Sequence, residues 1–149
     1  MSAPVLPWHA IYPAPRSAAV GIGREEVLQW FRAGRQAGRD FVLVDLRRTD
    51  FEGGTIRGSI NLPAQSLYPT IPTVYTLLSQ SPVKEVVWYC GSSKGRGTRA
   101  ASWFADYLEQ QGETRLRSLV LEGGIKGWAA AGEEYTDLMD EYDASVWVK

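Results

Sequence analysis

The sequence predicts an α/β domain built on a mainly parallel central sheet with helices on both faces. Short runs that are almost wholly apolar, at residues 41–46, 85–89 and 118–121, are typical of strands buried on both faces. Segments with helical spacing separate these runs, and strands that alternate with helices form parallel sheets through right-handed crossovers. A length of 149 residues and a hydrophobic content of 44% suit a single domain.

The first predicted elements are a helix over residues 24–37 and the apolar strand over residues 41–46. Apolar side chains recur at helical spacing between Val27 and Phe31, and acidic residues occupy the first turn, where the helix dipole favours them. Gly38 is expected to end this helix.

A glycine-rich stretch over residues 51–58 leads to a brief strand over residues 59–62, which Pro63 stops. A modest helix over residues 74–79 then precedes the apolar strand at residues 85–89.

The last predicted elements begin with a long helix over residues 98–111, which has Phe104 and Leu108 on one apolar face. A strand over residues 118–121 and a short helix over residues 125–131 complete the domain.

The chain divides into an irregular N-terminal arm at residues 1–21, the folded domain at residues 22–132 and a C-terminal tail at residues 133–149. The arm contains four prolines and scattered aromatic residues, which indicates that it packs onto the domain through a few large side chains. The tail is acidic and aromatic.

Composition excludes several classes of function. A formal net charge of -1 provides no global field to hold nucleic acid or an anionic membrane, and no run is long enough to span a bilayer. The first twenty residues do not resemble a secretion signal, and a single cysteine cannot form an internal disulfide. With one histidine, His9, on the arm, the chain has no zinc ligand set. We therefore expect a metal-free intracellular protein in the cytoplasm, with the nucleus as an alternative.

The segment with the strongest chemical signature is residues 90–96, between an apolar strand and a helix. Its glycines let successive amide hydrogens point inward and form a concave nest for an oxyanion. The helix start adds partial positive charge, and Arg96 can hold two oxygens of phosphate or arsenate with its planar guanidinium. We assign Cys90 as the catalytic nucleophile and Arg96 as its catalytic partner. The anion-binding residues are expected to be Gly91, Ser92, Ser93, Lys94 and Gly95.

Each of these residues also has a structural explanation. Cys90 can be a small hydrophobe at the end of a core strand, and Arg96 can be a solvated surface charge. Three glycines and three cations beside the cysteine serve no packing purpose, so the nucleophile is favoured. Lys94 and Arg99 fit a surface position as well as an anion site, and the two serines of the loop fit turn positions.

Three further segments resemble the structural signatures of the rhodanese superfamily, in the expected order: residues 44–47, 54–63 and 121–128. The resemblance covers residues 22–132. The loop is similar to that of cell-division-cycle-type dual-specificity phosphatases and eukaryotic, fungal-type arsenate reductases, because five residues separate Cys90 from Arg96. Sulfurtransferases of this superfamily have one residue fewer there, and the larger loop suits phosphate or arsenate.

The chain departs from these families at three positions. Tyr89 precedes the nucleophile where they usually have His, and Thr98, a natural helix N-cap, replaces a common proline. The glutamate that some of the phosphatases carry in the loop is absent, so no general acid is identified. Glu122 is a candidate, with a solvated turn carboxylate as the favoured alternative.

The resemblance implies an enzyme, and the favoured interpretation is an arsenate reductase. Cys90 would attack arsenate, and reducing equivalents would come from external glutathione with glutaredoxin as a protein partner, because the chain has no second cysteine. No bound cofactor is implied. The alternative is a protein-tyrosine or dual-specificity-type phosphatase that acts on a phosphoester through a phosphocysteine. A thiosulfate sulfurtransferase and a non-catalytic rhodanese-like binding module are less favoured.

Other prominent side chains are assigned structural roles. Asp45 and Arg47, at the end of a core strand, are expected to form a polar pair that braces the anion loop. Phe104 and Trp128 are core aromatics by their spacing, and His9 is assigned no part in the site.

Overall fold

The computed structural model describes residues 5–148, and its strands and helices alternate along the chain. The strands are β1 (Val20–Ile22), β2 (Phe41–Asp45), β3 (Thr55–Ile56), β4 (Ile60–Asn61), β5 (Glu85–Tyr89), β6 (Arg117–Leu121) and β7 (Met139–Asp140). The helices are α1 (Arg24–Arg32), α2 (Ala64–Leu67), α3 (Ile71–Ser79), α4 (Arg96–Gln110), α5 (Gly124–Ala129), α6 (Glu133–Thr136) and α7 (Ala144–Trp147). Single turns of 3-10 helix occur at Trp8–Ile11 and Tyr68–Thr70.

Five strands form the central sheet in the order β1-β6-β5-β2-β4, and every neighbouring pair in it is parallel. The central strands are buried on both faces, because every residue of β2 and all but the first of β5 are buried. β3 and β7 form a separate antiparallel pair, which ties the C-terminal segment back to the domain. The predicted α/β class with a mainly parallel sheet is confirmed.

Helices cover both faces of the sheet, and β5 contributes alternate residues to the two cores. Trp88 and Cys90 belong to the core that contains Phe104 of α4. Tyr89 belongs to the opposite core, which contains Trp128 of α5. The nucleophile candidate and the residue before it therefore point to opposite faces of the sheet.

Two boundaries near the N-terminus differ from the predicted ones. α1 ends at Arg32 rather than near residue 37, because Gly34 adopts a left-handed conformation with a φ of 83°. β1 begins inside the segment predicted to be irregular, and it pairs with β6 at the edge of the sheet. A strand of three residues that includes Gly21 is too short to give a periodic signal.

The long helix α4 begins at Arg96, two residues before its predicted start at Thr98. Gly95 occupies the N-cap position, and no side chain caps the helix. The Thr98 hydroxyl instead donates a hydrogen bond to the Ser93 carbonyl at 2.7 Å. The expected N-cap role of Thr98 is therefore wrong, because its side chain stabilises the preceding loop.

Candidate active site

The site lies at the carboxyl end of β5, where the chain turns into α4. A cleft of about 490 Å³ opens there. The loop residues that line it are Cys90, Gly91, Ser92, Gly95 and Arg96. The structure thus brings together five of the seven site residues that the sequence indicated.

Ser93 and Lys94, which we expected to bind the anion, do not line the cleft. Ser93 is buried with a φ of 64°, and its hydroxyl accepts a hydrogen bond from the Cys90 amide at 3.3 Å. Lys94 is exposed to solvent. The Ser93 side chain therefore holds the shape of the loop and the Lys94 side chain lies outside the cleft, while anion binding by these two residues stays a prediction.

The side chain of Cys90 lies beneath the start of α4, and the residue is only 3% exposed. The Gly97 amide donates a hydrogen bond to Cys90 Sγ, with an N···S distance of 3.4 Å. Gly97 leaves little room for a side chain, because an added Cβ would lie 3.1 Å from Ser93 Cβ and 3.2 Å from Val120 Cγ2. An amide at a helix start stabilises negative charge on the atom that it faces, which suits a thiolate nucleophile.

α5 holds the loop from the other side. The Ile125 amide donates to the Cys90 carbonyl and the Lys126 amide donates to the Gly91 carbonyl, both at 3.0 Å. Gly124 permits this approach, because it has a φ of 59° and an added Cβ would lie 2.5 Å from both carbonyl oxygens. The C=O and N–H groups of one peptide unit point in opposite directions, so holding the carbonyls towards α5 directs the following amides away from it.

Arg96, the first residue of α4, is paired with a carboxylate that the sequence did not indicate. Its Nη1 and Nη2 donate hydrogen bonds to the two carboxylate oxygens of Asp50 at 2.8 and 2.5 Å. These hydrogen bonds from Arg96 hold the pKa of Asp50 well below its usual range. The side chains of Arg96 and Asp50 are 23% and 46% exposed, so an oxyanion that enters the cleft can reach the guanidinium.

A buried ion pair at the end of β2 positions the segment that carries Asp50. Asp45 accepts hydrogen bonds from Arg47 Nε at 3.0 Å and Arg47 Nη2 at 2.8 Å. Arg47 also donates to the carbonyls of Glu52 at 2.9 Å and Gly54 at 2.7 Å. Asp45 and Arg47 are therefore a bracing pair, as the sequence indicated, but they brace residues 47–54 rather than the anion loop itself.

The side chain of Tyr89, at the position where the similar families usually have His, lies on the face of the sheet opposite the Cys90 side chain. Its hydroxyl is hydrogen-bonded to Thr55 Oγ1 at 2.7 Å and Ser59 Oγ at 2.6 Å, and it accepts from the Ile56 amide at 3.2 Å. Complete burial raises the pKa of Tyr89 above its ordinary value, so the phenol stays neutral. Tyr89 therefore braces the end of β5 against residues 55–59, on the face opposite Cys90.

The N-terminal arm forms one wall of the cleft. Trp8 and His9 line it, although the sequence gave no reason to place His9 in the site. Trp8 packs edge-on against Trp103 of α4, with ring centroids 6.0 Å apart. Asp106 of α4 accepts hydrogen bonds from the Ser17 amide at 2.8 Å and the Ser17 hydroxyl at 2.6 Å. The aromatic residues of the arm were its only sequence signal of packing onto the domain.

Gln65, Arg99 and Lys126 complete the wall of the cleft. Gln65 Oε1 is buried and has no hydrogen-bond partner within residues 5–148, while Arg99 and Lys126 add positive charge. Glu122, the carboxylate considered as a general acid, is not part of the wall. It lies against Gly21 of the edge strand β1, so its side chain is directed away from the anion loop.

The central strand of a parallel sheet is followed here by a loop that begins at Cys90 and ends at Arg96, and these two features indicate the structural class of the protein. The chain belongs to the rhodanese family, because residues 25–131 match the Rhodanese-like domain. The resemblance noted from the three sequence signatures is therefore confirmed.

Individual relatives agree with this family. The chain is similar to Arsenical-resistance protein 2 of Saccharomyces cerevisiae, with 32% identity over 97 residues that cover 60% of this chain and 75% of that protein. It resembles the structure of a yeast protein tyrosine phosphatase of the Rhodanese family, with a TM-score of 0.74, 21% identity and coverage of 89% of this chain and 99% of that one. It also resembles As-Sb reductase from Leishmania major, with a TM-score of 0.72, 24% identity and coverage of 81% and 84%. The similarity to these two structures supports the assignment of the rhodanese fold.

Within residues 5–148, no helix is long and apolar enough to cross a membrane. The same residues contain no group of three His, Cys, Asp or Glu side chains that could hold a metal ion.

Proposed function

We propose that this protein is an arsenate reductase with Cys90 as its nucleophile. The observation that carries the proposal is that Cys90, under a helix-start amide, and Arg96 line one cleft. The similarity to Arsenical-resistance protein 2 supports arsenic as the element handled. We propose the cytoplasm as its compartment, because thiols remain reduced there.

In the first step the Cys90 thiolate attacks the arsenic atom of arsenate. An S–As bond forms, an As–O bond breaks, and the departing oxygen leaves as water after it is protonated, while arsenic remains pentavalent. Arg96 and the loop amides stabilise charge on the remaining oxygens. The oxyanion must therefore take over hydrogen bonds of Arg96 that Asp50 accepts in this structure.

Reduction then needs two thiols from outside, because Cys90 is the single cysteine of the chain. A first external thiolate attacks the Cys90 sulfur, the S–As bond breaks, and its electron pair stays with arsenic, which leaves as trivalent arsenite. The two sulfur atoms, each oxidised by one electron, now form a mixed disulfide. A second thiol attacks that disulfide, regenerates the Cys90 thiolate and leaves as an external disulfide. We propose glutathione and glutaredoxin for these roles.

A phosphatase is the second candidate, and the position of Asp50 favours it. The same loop would support transfer of a phosphoryl group from an ester to Cys90, followed by hydrolysis of the phosphocysteine. The leaving alkoxide needs a proton, and Asp50 is a carboxyl group on the cleft wall. Its pairing with Arg96 lowers its pKa, so an ester would have to displace Asp50 from Arg96 before this carboxyl group could act as an acid.

The test is arsenate-dependent oxidation of NADPH, coupled through glutathione and glutaredoxin, with an aryl phosphate as a parallel substrate. Cys90→Ser removes the nucleophile, and Lys84→Gln is a control on the exposed surface outside the cleft. Arsenate turnover that is lost in Cys90→Ser and kept in Lys84→Gln is the expected result. Cys90-dependent ester cleavage without arsenate turnover would replace the reductase by the phosphatase, and no turnover of either substrate would indicate a binding module.

A further inference from the structure

A second cavity lies beside the anion cleft and shares part of its wall. Its volume of about 540 Å³ falls within the range of about 300–1,000 Å³ that small-molecule sites occupy. Asp50, Gly91 and Lys126 line both cavities. A molecule in the second cavity therefore borders the anion cleft along these three residues.

The proposed chemistry requires that a reducing thiol reach the Cys90 sulfur by a path other than the one that arsenate takes. The reducing thiol acts while arsenic is still bonded to Cys90, so the adduct occupies the anion cleft at that moment. The thiol must enter by a path that the adduct leaves open. Gly91 directly follows Cys90 in the chain and lines both cavities, whereas Cys90 itself lines the anion cleft, so a thiol in the second cavity has to reach the sulfur past Gly91.

The second cavity contains charges that the protein does not neutralise. Asp50 is paired with Arg96, but Lys126 and Glu52 form no ion pair in the part of the chain that the structure describes. Lys126 Nζ lies close to the loop, because an added Cβ at Gly91 would be 3.9 Å from it. One cation and one anion that are both open to a ligand match a molecule with a carboxylate and an ammonium group.

Apart from Arg47, which is paired with Asp45, the remaining wall is apolar, and α7 supplies part of it. The apolar lining residues are Ile125, Ala129, Ala130, Val146 and Trp147. Trp147 is fixed in place, because its Nε1 donates a hydrogen bond to the Gly53 carbonyl at 2.8 Å. Such a wall favours the methylene groups of a peptide ligand, since apolar burial stabilises binding roughly in proportion to the area removed from water.

We propose that the second cavity binds the external thiol as a zwitterionic cysteinyl peptide. Its carboxylate lies on Lys126, its ammonium group lies near Glu52, and its sulfur is directed past Gly91 towards Cys90. The site delivers the thiolate that forms the S–S bond with Cys90 as the S–As bond breaks. This inference rests on the proposed function, because the reductase needs this co-substrate and the phosphatase does not.

Ala130 provides the test, because it is exposed and lines the second cavity but not the anion cleft. Ala130→Glu and Ala130→Lys introduce opposite charges there. The probe is S-methylglutathione, which is net anionic and cannot react at sulfur, and its binding is measured by calorimetry and by amide NMR shifts. We expect Ala130→Glu to weaken binding and Ala130→Lys to strengthen it, each by about 3- to 5-fold. Lys126→Met should weaken binding by a similar factor, and Lys84→Met, outside both cavities, should not change it.

Steady-state kinetics give the second measurement. The KM for glutathione should rise in Ala130→Glu and fall in Ala130→Lys, while the KM for arsenate stays constant. The proposal is overturned if the probe does not bind, or if the amide resonances that it shifts belong to residues other than 125–130 and 146–147. It is also overturned if the Kd of the probe is the same in Ala130→Glu and Ala130→Lys. A wild-type protein that binds the probe in this cavity but does not reduce arsenate would support the site and refute the proposed function.

Discussion

Removing the charge of Asp50 is expected to strengthen anion binding beside Cys90. Asp50 accepts hydrogen bonds from both terminal nitrogens of Arg96, so a bound oxyanion has to replace this carboxylate. Both side chains are partly exposed, so their ion pair contributes about 0.2–1 kcal/mol, far less than a buried pair. Asp50→Asn should therefore lower the Kd of an oxyanion by up to about 5-fold. The same change should lower the free energy of unfolding by up to about 1 kcal/mol.

The assay is calorimetric titration of phosphate into Cys90→Ser, with and without Asp50→Asn, so that no covalent step intervenes. Asp40→Asn is the matched control, because Asp40 pairs with Arg39 outside the cleft and its removal changes the net charge equally. The control should leave the Kd of phosphate nearly unchanged. Weaker phosphate binding in Asp50→Asn, or equal effects of the two substitutions, would refute the competition between Asp50 and the anion.

The contribution of the Asp50–Arg96 ion pair to the free energy of unfolding should decrease as the pH falls. Hydrogen bonds from Arg96 lower the pKa of Asp50, so the pair stabilises the folded state fully above the ordinary aspartate pKa of about 4. This stabilisation is lost as the pH falls from there towards the lowered pKa. The difference in free energy of unfolding between wild type and Asp50→Asn should shrink over that interval, as measured by urea unfolding. A difference that grows on acidification would contradict the assignment.

Three further substitutions test how the loop and the arm are held. Gly124→Ala should lower the free energy of unfolding by about 3 kcal/mol or more and abolish activity, because the added Cβ would lie 2.5 Å from two carbonyl oxygens. A stable, active variant would show that the close contact of α5 with the Cys90 and Gly91 carbonyls is not needed. Tyr89→Phe should cost about 1–3 kcal/mol in urea unfolding by leaving buried polar groups unpaired, yet leave the alkylation rate of the thiol unchanged. Burial alone would raise the pKa of Asp106, but hydrogen bonds from Ser17 and the neighbouring amide lower it, so the arm should loosen as the pH falls below about 4. Asp106→Asn should loosen the arm at neutral pH, seen as faster tryptic cleavage after Arg16, and an unchanged cleavage rate would argue against this anchor.

The parts of the molecule that were predicted from the sequence are those with a local signal. β2 and β5 are buried on both faces, and a strand of that kind has an apolar run within one short segment. The loop from Cys90 to Arg96 likewise has its glycines and charges in one segment between a strand and a helix. For both features the side chains that matter are neighbours in the chain, so their pattern could be recognised without knowledge of the fold.

Residues that reach the site from distant segments were missed. Asp50, Gln65 and His9 come from the loop after β2, from α2 and from the arm, and no local pattern records their approach to Cys90. The buried position of the Ser93 side chain could not be predicted for a different reason. Its left-handed backbone turns the hydroxyl towards an amide of the loop, and the sequence gives no signal of that conformation for a residue other than glycine.

The location of the Cys90 sulfur and the size of the loop around it are set by different parts of this fold. The pairing of β5 with its neighbours determines the face on which Cys90 lies, and α5 holds the Cys90 carbonyl. Neither of these contacts involves residues 92–95. Apart from the hydrogen bond from the Cys90 amide to Ser93, those residues determine how far the start of α4 stands from Cys90, so they can change in number while strand pairing and α5 keep Cys90 in place. If Cys90 acts as proposed, a deletion or insertion there would alter the group that it can process while the sheet stays the same.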